Sequence, residues 1–230
     1  MGMKGTAFLA IWHDIAEGKH SDFIDWHTRE HMPERLSVPG FRTGKRLHAP
    51  DAERYVYGTI YAADTVEVFR SPAYLERLNH PTPWTAAVAP SFRNFLRIAC
   101  ERIAHAGTGD GGSMATIRFD FAQKDASTAI QTVAQKLVDD ILALDGVCAV
   151  HLGVARSEVS MVRTKETELR SKMAEKEFDA VLLIEGSYRV GLEAALPKAQ
   201  RLALATGLLG SPTAAIYETE FSITSEDMQA

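Results

Sequence analysis

The stretch Gly107-Thr108-Gly109-Asp110-Gly111-Gly112-Ser113 has four glycines in seven residues and lies near the middle of a chain of 230 residues. Gly-rich segments are flexible and favour neither helix nor strand, so this composition is typical of a linker. The stretch leaves two parts of nearly equal length, and equal parts suggest an internal repeat. We therefore predict one unit over residues 1–106, a linker over residues 107–113 and a second unit over residues 114–230.

The hydrophobic pattern repeats the same order of elements on both sides of this stretch. Continuous or alternating apolar runs predict strands at residues 6–13, 41–48, 55–62, 93–103, 114–121, 147–155, 178–185 and 213–223. Apolar residues at helical spacing predict helices at about residues 21–38, 66–78, 126–144 and 190–206. Each side therefore reads β-α-β-β-α-β, which is the ferredoxin-like order.

One ferredoxin-like unit covers a single face of its sheet with helices and leaves the other face bare. Two units can bury these bare faces against each other, and a barrel also protects the strand edges. We predict an α+β fold class, in which tandem ferredoxin-like units with antiparallel sheets form an intramolecular, pseudo-dimeric α/β barrel. Two independent domains joined by a flexible linker are the alternative.

The composition narrows the classes of partner. The net charge is −5 and the charges of both signs are interspersed, which argues against a nucleic-acid partner. No apolar run has the length of a membrane span, and residues 1–5 do not begin a signal peptide. The two cysteines, Cys100 and Cys148, are too few for a disulfide framework. We expect a cytoplasmic protein with a small-molecule substrate, no nucleic acid and no membrane; a homodimer is compatible with this expectation.

Several motifs of the first half resemble one family. They are Trp26-His27-Thr28-Arg29-Glu30-His31-Met32-Pro33-Glu34-Arg35-Leu36, Val38-Pro39-Gly40-Phe41, Ser71-Pro72-Ala73-Tyr74-Leu75 and Pro81-Thr82-Pro83-Trp84-Thr85. Together they resemble EthD-like proteins of the dimeric α/β-barrel superfamily over roughly residues 5 to 104. The second half matches only in the order of its elements, and it lacks the histidine motif.

This resemblance implies a barrel of two ferredoxin-like units with small-molecule pockets between sheet and helices. Members of the superfamily include muconolactone-type isomerases, cofactor-free quinol monooxygenases, haem-dependent proteins and proteins of degradation operons. Most build the barrel from two chains, whereas this chain carries both units. Because one fold serves many reactions, the resemblance names a set of activities and not one of them.

Seven of the eight histidines precede the glycine-rich stretch. His27 and His31 lie four residues apart, on one face of the predicted helix. Phe23 lies on the same face, so we expect this face, with both imidazoles, to pack against the sheet. His13 ends the first predicted strand, where reactive groups often stand on a rigid base. We predict His31 or His13 as general base or acid, with His27 assisting and Glu34 tuning the pair. A structural, hydrogen-bonded role is the alternative for His27 and His31, and a solvent-exposed position at the strand end is the alternative for His13.

Other residues are candidates for contact with a substrate. Tyr57 and Tyr61 share one face of the third strand, Trp84 lies in a Pro-rich connection, Trp12 precedes His13, and Arg46 could hold a carboxylate. The alternatives are barrel packing for the tyrosines, a packed surface connection for Trp84 and solvent exposure for Arg46. The charge run at residues 163–170 is interpreted as a solvated helix face, and the second unit is expected to be mainly structural.

These residues favour a small-molecule enzyme that works by His-mediated proton transfer without an organic cofactor. Isomerase, decarboxylase and cofactor-free oxygenase types are all compatible, with a cyclic or aromatic-derived catabolite as substrate. One alternative is a metal- or haem-binding protein that uses His27 or His31 as a ligand; no metal site is assigned. Another is a non-catalytic protein that binds a small molecule.

Overall fold

The computed structural model describes residues 2–160, 163–170 and 178–229. The chain forms two compact units, and each takes segments from both halves of the sequence. The first, here called the histidine unit, contains the described residues 4–99, 156–160, 163–170 and 220–229; the second, the α5–α8 unit, contains the described residues 2–3, 100–155 and 178–219. The division at residues 107–113 stays a prediction about the repeat in the sequence.

The strands follow the predicted order along the chain. They are β1 (Ala7–Ile15), β2 (Phe41–His48), β3 (Tyr57–Ala63), β4 (Phe92–Gly107), β5 (Ser113–Phe121), β6 (Val147–Ala155), β7 (Ala180–Gly186) and β8 (Leu209–Thr224). The α-helices are α1 (His20–Trp26), α2 (Met32–Leu36), α3 (Pro72–Asn79), α4 (Pro83–Val88), α5 (Ala126–Leu142), α6 (Ser157–Ser160), α7 (Lys165–Glu168) and α8 (Arg189–Ala205). A π-turn occupies His27–His31, and short 3-10 turns occupy Val66–Arg70, Ala89–Ser91 and Ser225–Gln229.

Within the histidine unit the strands pair antiparallel in the order β1-β3-β2. Within the α5–α8 unit they pair antiparallel in the order β8-β5-β7-β6-β4. Both halves use the same pattern, because β3 lies between β1 and β2 just as β7 lies between β5 and β6. This pairing and the accompanying helices confirm the predicted fold class, an α+β chain of ferredoxin-like units. In the histidine unit, the β1–β3 register places His13 opposite Tyr57 and Trp12 opposite Gly58.

The long helix of the histidine unit is interrupted at its centre. Its two α-helical parts, α1 and α2, are joined by the π-turn, in which the backbone N–H of Met32 donates to the carbonyl of His27. Pro33 follows directly, and proline has no N–H to give to the carbonyl four residues earlier, with which its ring also clashes. This proline explains why the regular helical ladder breaks here. Such π-turns occur frequently at functional sites.

Each unit has its own apolar core. In the histidine unit, side chains from β1, α2 and β3, including Leu9, Met32 and Tyr61, pack with the aromatic residues Phe41 and Phe69. In the α5–α8 unit, the apolar faces of α5 and α8 pack on β5, β6 and β7. None of the helices in the described ranges combines the length and the apolar character that a membrane crossing requires.

The glycine-rich stretch is packed at one point within the α5–α8 unit. Gly111 is buried, and its backbone N–H donates to the Glu185 carboxylate at 3.0 Å. A Cβ atom at this position would lie 2.2 Å from the carbonyl oxygen of Gly186, so only glycine allows this close approach of the two backbones.

Candidate functional site

Three histidines of the histidine unit come together between β1 and the interrupted helix. β1 carries His13, and His27 and His31 are the first and last residues of the π-turn. All three are buried, with 1%, 4% and 7% of their surface exposed in that order. The rings of His27 and His31 stack at 5.6 Å between centroids. Phe23 connects them to His13, because its ring lies 5.0 Å from His13 and 5.1 Å from His27.

The polar contacts of these imidazoles are few. His13 Nδ1 lies 3.4 Å from the carbonyl oxygen of Asp14, and His27 Nε2 lies 3.4 Å from the Tyr61 hydroxyl. The Nδ1 atoms of His27 and His31 are buried and have no hydrogen-bond partner in the described part of the chain. Leaving a buried polar atom unpaired costs about 1–3 kcal/mol, so two such atoms in one cluster call for an explanation, such as a ligand.

Burial keeps these histidines uncharged. It lowers the pKa of His13 to about 3, although the carbonyl and carboxylate of Asp14 act in the opposite direction. Burial, followed by the neighbouring His31, lowers the pKa of His27 well below its usual range. Burial, followed by the charges of Arg35 and Arg170, does the same to the pKa of His31. The three rings are therefore neutral near pH 7 and have lone pairs that can accept a proton.

Aromatic side chains surround the three histidines. The ring of Trp26 lies 4.2 Å from that of His31, and Phe92 lies 4.7 Å from His13. Tyr57 stacks on His13 at 5.6 Å. This apolar wall gives the site a low dielectric, in which a charge that appears on a ligand or an imidazole interacts strongly with nearby charges.

A buried ion network adjoins the histidines. Arg35, on α2, donates through Nη2 to one carboxylate oxygen of Glu166, and Arg170 donates through Nη2 to the other. Arg35 and Glu166 expose 2% and 3% of their side chains, and Arg170 exposes 12%. Glu166 lies on α7, whose first turn is capped by the hydroxyl of Thr164.

This network corrects the interpretation of residues 163–170 as a solvated helix face. That interpretation is right for Arg163 and Glu168, which form an exposed pair at 3.0 Å, but wrong for Glu166 and Arg170. The physical reason is Arg35, because a buried guanidinium requires a buried carboxylate. Burial alone raises the pKa of Glu166, but the charges of Arg35 and Arg170 outweigh burial and hold that pKa below its usual value.

The ion network and the histidines share one aromatic wall. The Arg170 guanidinium lies over Phe95 at 4.5 Å and over Phe92 at 5.5 Å, distances typical of cation–π contacts. Phe92 also contacts His13. Sequence reasoning missed Arg35, Glu166 and Arg170 as site residues. The only signal was the spacing of Glu166 and Arg170, four residues apart, which is equally common on exposed helices.

Glu34 contacts the ion network instead of a histidine. Its carboxylate accepts a hydrogen bond from Arg35 Nη1 at 2.9 Å. Burial raises the pKa of Glu34, although Arg35 opposes this shift. The tuning of the histidine pair by Glu34 stays a prediction.

The two predicted tyrosines both reach the histidines. Tyr61 contacts His27 as described above, and burial raises the pKa of its hydroxyl. Tyr57 stacks on His13, and its hydroxyl lies 3.0 Å from His20 Nδ1. His48 stacks on the same tyrosine ring at 4.8 Å. The third strand thus presents its tyrosines to the helix, as the sequence pattern indicates.

Arg46 is buried and already holds a carboxylate of the chain itself. Its Nε donates to Glu220 at 3.0 Å and its Nη1 donates to the Thr28 hydroxyl at 2.8 Å. His48 Nδ1 lies 2.9 Å from the other oxygen of Glu220. The guanidinium predicted to hold a substrate carboxylate is thus paired within the fold.

The structure does not bring Trp84 and Trp12 to the histidines. Trp84, on α4, is 37% exposed and lines a surface cavity of about 150 Å³ together with Lys19, Asp22 and Val88. Trp12 precedes His13 on β1, and successive strand residues face opposite sides of a sheet. Neither tryptophan is therefore a wall of the histidine cluster, whereas Trp26, which sequence reasoning did not single out, is one.

Two further histidines lie in the α5–α8 unit. His105 on β4 and His151 on β6 are directly opposite each other, and their ring centroids are 6.3 Å apart. Arg102 Nη1 lies 3.5 Å from His151 Nδ1. Across the described ranges of both units, no three side chains of His, Cys, Asp or Glu are arranged to hold a metal ion.

Comparison with solved structures gives the same architecture. An anthrone oxidase-like protein aligns at 11% identity over 96% of this chain and 94% of its own, with a TM-score of 0.65. A "putative monooxygenase" of Fusobacterium nucleatum aligns at 10% identity over 96% of both chains, with a TM-score of 0.60. Another "putative monooxygenase", from Lactobacillus acidophilus, aligns at 13% identity over 96% of this chain and 97% of its own, with a TM-score of 0.58.

The shared property is the fold. Identities this low carry no residue roles from those proteins to this chain. No family model matches the sequence, and no curated protein matches it. The closer likeness to EthD-like proteins therefore stays a prediction.

Proposed function

We propose that the histidine unit carries the active site of a small-molecule enzyme that removes a proton from a cyclic or aromatic-derived substrate. One observation carries this proposal: His13, His27 and His31 are buried together, and two of their Nδ1 atoms have no partner among the described residues. A neutral imidazole has a lone pair that can accept a proton from an acidic O–H or C–H group of a bound aromatic ligand. No organic cofactor is needed for this step.

His31 is the first candidate for the base. Its ring stacks on that of His27 and lies at a tilt against Trp26, and the charges of Arg35 and Arg170 act on it. These guanidiniums disfavour an imidazolium at His31, but they favour an oxyanion on a bound substrate. Once a phenol or an enolisable carbon gives its proton to the imidazole, the substrate anion and the imidazolium attract each other in a low dielectric. Tyr61 orients His27, and His13 is the second candidate for the base.

Removal of this proton is the first step of several reactions. An isomerase returns the proton to another carbon, whereas a cofactor-free oxygenase lets the substrate anion react with molecular oxygen. The names of the structural neighbours, anthrone oxidase-like protein and putative monooxygenase, make the oxygenase type the first to test. Anthrone is a suitable first substrate, because it is aromatic, cyclic and enolisable.

The test is oxygen consumption with anthrone and with quinol substrates, for the wild type and for single variants. We expect His31→Ala to lower kcat by about 100-fold or more, the usual contribution of a positioned general base. The matched control is His80→Ala, because His80 exposes 65% of its side chain on the surface. Full turnover in each of His13→Ala, His27→Ala and His31→Ala would refute the proton-transfer role.

Metal or haem ligation by His27 or His31 is the second candidate function. The same unpartnered Nδ1 atoms favour it, because an imidazole nitrogen without a hydrogen bond is a free metal ligand. Metal analysis and an absorption spectrum of the purified protein separate the two candidates. Stoichiometric metal or a haem spectrum that His31→Ala abolishes would establish ligation.

A further inference from the structure

The positive charges near the histidine cluster are incompletely balanced. Glu166 is surrounded by the guanidiniums of Arg35, Arg97 and Arg170. Arg35 donates hydrogen bonds to two carboxylates, those of Glu166 and Glu34. Arg170 donates only to Glu166 among the described carboxylates of this cluster, and it shares that carboxylate with Arg35. Arg97 donates to uncharged groups, the carbonyl of Ser160 and the hydroxyl of Tyr74. Within the described residues, the cluster therefore has more positive than negative charge.

Arg170 also has an unused donor. Its Nη2 donates to Glu166, but its Nε is buried and has no hydrogen-bond partner within residues 2–160, 163–170 and 178–229. An unpaired donor on a charged group costs more than one on a neutral group. A ligand oxygen would remove this cost, and a guanidinium can present its Nε to a carboxylate or another oxyanion.

The unused donor belongs to a guanidinium that shares an aromatic wall with the candidate bases. The Arg170 guanidinium rests on Phe92 and Phe95, and Phe92 in turn contacts His13. The charge of Arg170 acts on both His13 and His31, whose pKa values it lowers. A planar ring that packs on this aromatic wall could thus place one substituent near Arg170 while another faces an imidazole.

We propose that Arg170, supported by Arg35, forms a subsite for one anionic oxygen group of an aromatic substrate, a carboxylate or an ionised hydroxyl. The inference rests on the proposed function and specifies its substrate class: an aromatic acid or phenol. Arg170 is the specificity-determining residue in this subsite. An anion bound there also offsets the positive field that disfavours an imidazolium at His31, so the correct substrate makes His31 a stronger base.

The test is calorimetric binding of benzoate and of its uncharged analogue benzamide to the full-length protein. We expect wild type to bind benzoate at least about tenfold more tightly than benzamide, because a charge-assisted hydrogen bond is stronger than a neutral one. Arg170→Gln should lose most of this preference. The matched control is Arg163→Gln in the same segment, since Arg163 exposes 86% of its side chain, and it should keep the preference.

Each outcome decides the proposal. Equal affinities for benzoate and benzamide in the wild type overturn it without any variant, so a folding defect in Arg170→Gln leaves it falsifiable. An equal loss in Arg163→Gln and Arg170→Gln also overturns it, because the effect would then be long-range. His31→Ala keeps the two proposals apart. If it abolishes turnover while benzoate shows no preference, the subsite fails and the proposed function stands; if benzoate binds through Arg170 but His31→Ala retains turnover, the base assignment fails.

Discussion

Arg35 Nη2 donates a hydrogen bond to Glu166 Oε2, although 131 residues separate the two in sequence. The bond fastens α7 to α2, the helix that follows the histidine-bearing π-turn. Both side chains are almost completely buried. Glu166 belongs to a charge run that is typical of a solvent-exposed helix, yet it is buried and helps to hold α2 in place beside the candidate site.

The first prediction concerns this contact. Glu166→Gln leaves Arg35 and Arg170 buried without their shared carboxylate, and breaking a buried ion pair from one side costs about 3–5 kcal/mol. We expect the free energy of unfolding to fall by about that amount in urea denaturation. Glu168→Gln, which disrupts only the exposed pair with Arg163, should change it by less than about 1 kcal/mol. Equal effects of the two substitutions would show that Glu166 is not a buried partner.

The second prediction concerns the dependence of stability on pH. Burial lowers the pKa of folded His13 to about 3, and an unfolded histidine has its ordinary value of 6.5. Between these values the unfolded chain binds a proton that the folded chain does not, so stability is complete above about pH 6.5 and is lost as the pH falls toward 3. One such histidine contributes a slope of about 1.4 kcal/mol per pH unit. His27 and His31, whose pKa values are also lowered, add to it.

Urea denaturation of the wild type and of His13→Phe between pH 4 and 7 checks this slope. The slope of the variant should be smaller by the contribution of one histidine, because phenylalanine has no imidazole to protonate on unfolding. His80→Gln, at the exposed position, should retain the full slope. An unchanged slope in His13→Phe would mean that His13 is solvated.

The third prediction concerns Tyr61. Its hydroxyl lies 3.4 Å from His27 Nε2, so Tyr61→Phe removes the polar partner that orients this imidazole. We expect a loss of stability of about 0.5–1.5 kcal/mol and a fall in kcat with little change in KM. Tyr188→Phe is the control, because Tyr188 is 60% exposed and lies in the α5–α8 unit. A change in KM alone would assign Tyr61 to ligand binding instead of positioning.

The fourth prediction compares two tryptophans. Trp26 lies 4.2 Å from His31, whereas Trp84 lines a surface cavity whose wall contains none of the three histidines. Trp84→Ala should therefore leave kcat/KM within about twofold of wild type, as expected for a surface residue away from the chemistry. Trp26→Phe should lower kcat/KM by more. A larger effect at Trp84 than at Trp26 would indicate that the substrate binds in the surface cavity and not at the histidines.

Local patterns were sufficient to predict the order of the elements and the position of the histidines. Apolar periodicity revealed the repeated β-α-β-β-α-β order, and the spacing of His27 and His31 indicated a shared helix face. The β1–β3 pairing then places His13 opposite Tyr57, and directly opposite residues of paired strands point to the same face of the sheet. These features depend on residues that are close in sequence or on the regular geometry of strands and helices.

The ion network could not be predicted in this way. Glu166 and Arg170 have the spacing of an ordinary exposed pair, and nothing local identifies Arg35 as their partner 131 residues earlier. Arg46 is a similar case, since its partner Glu220 lies 174 residues away. Only the tertiary fold decides whether a charged side chain is solvated or buried, because burial depends on what packs over it.

The most direct test of the central claim uses 4-nitrophenol, whose ionised form absorbs visible light. At a pH where the free dye is protonated, we predict that the wild type binds it as the phenolate, because an imidazole of the cluster takes the phenolic proton and the guanidiniums stabilise the oxyanion. The visible band should appear with wild type and with His80→Ala, and it should be lost in His31→Ala. A bound dye that stays protonated, or that ionises equally in all three proteins, would contradict the account.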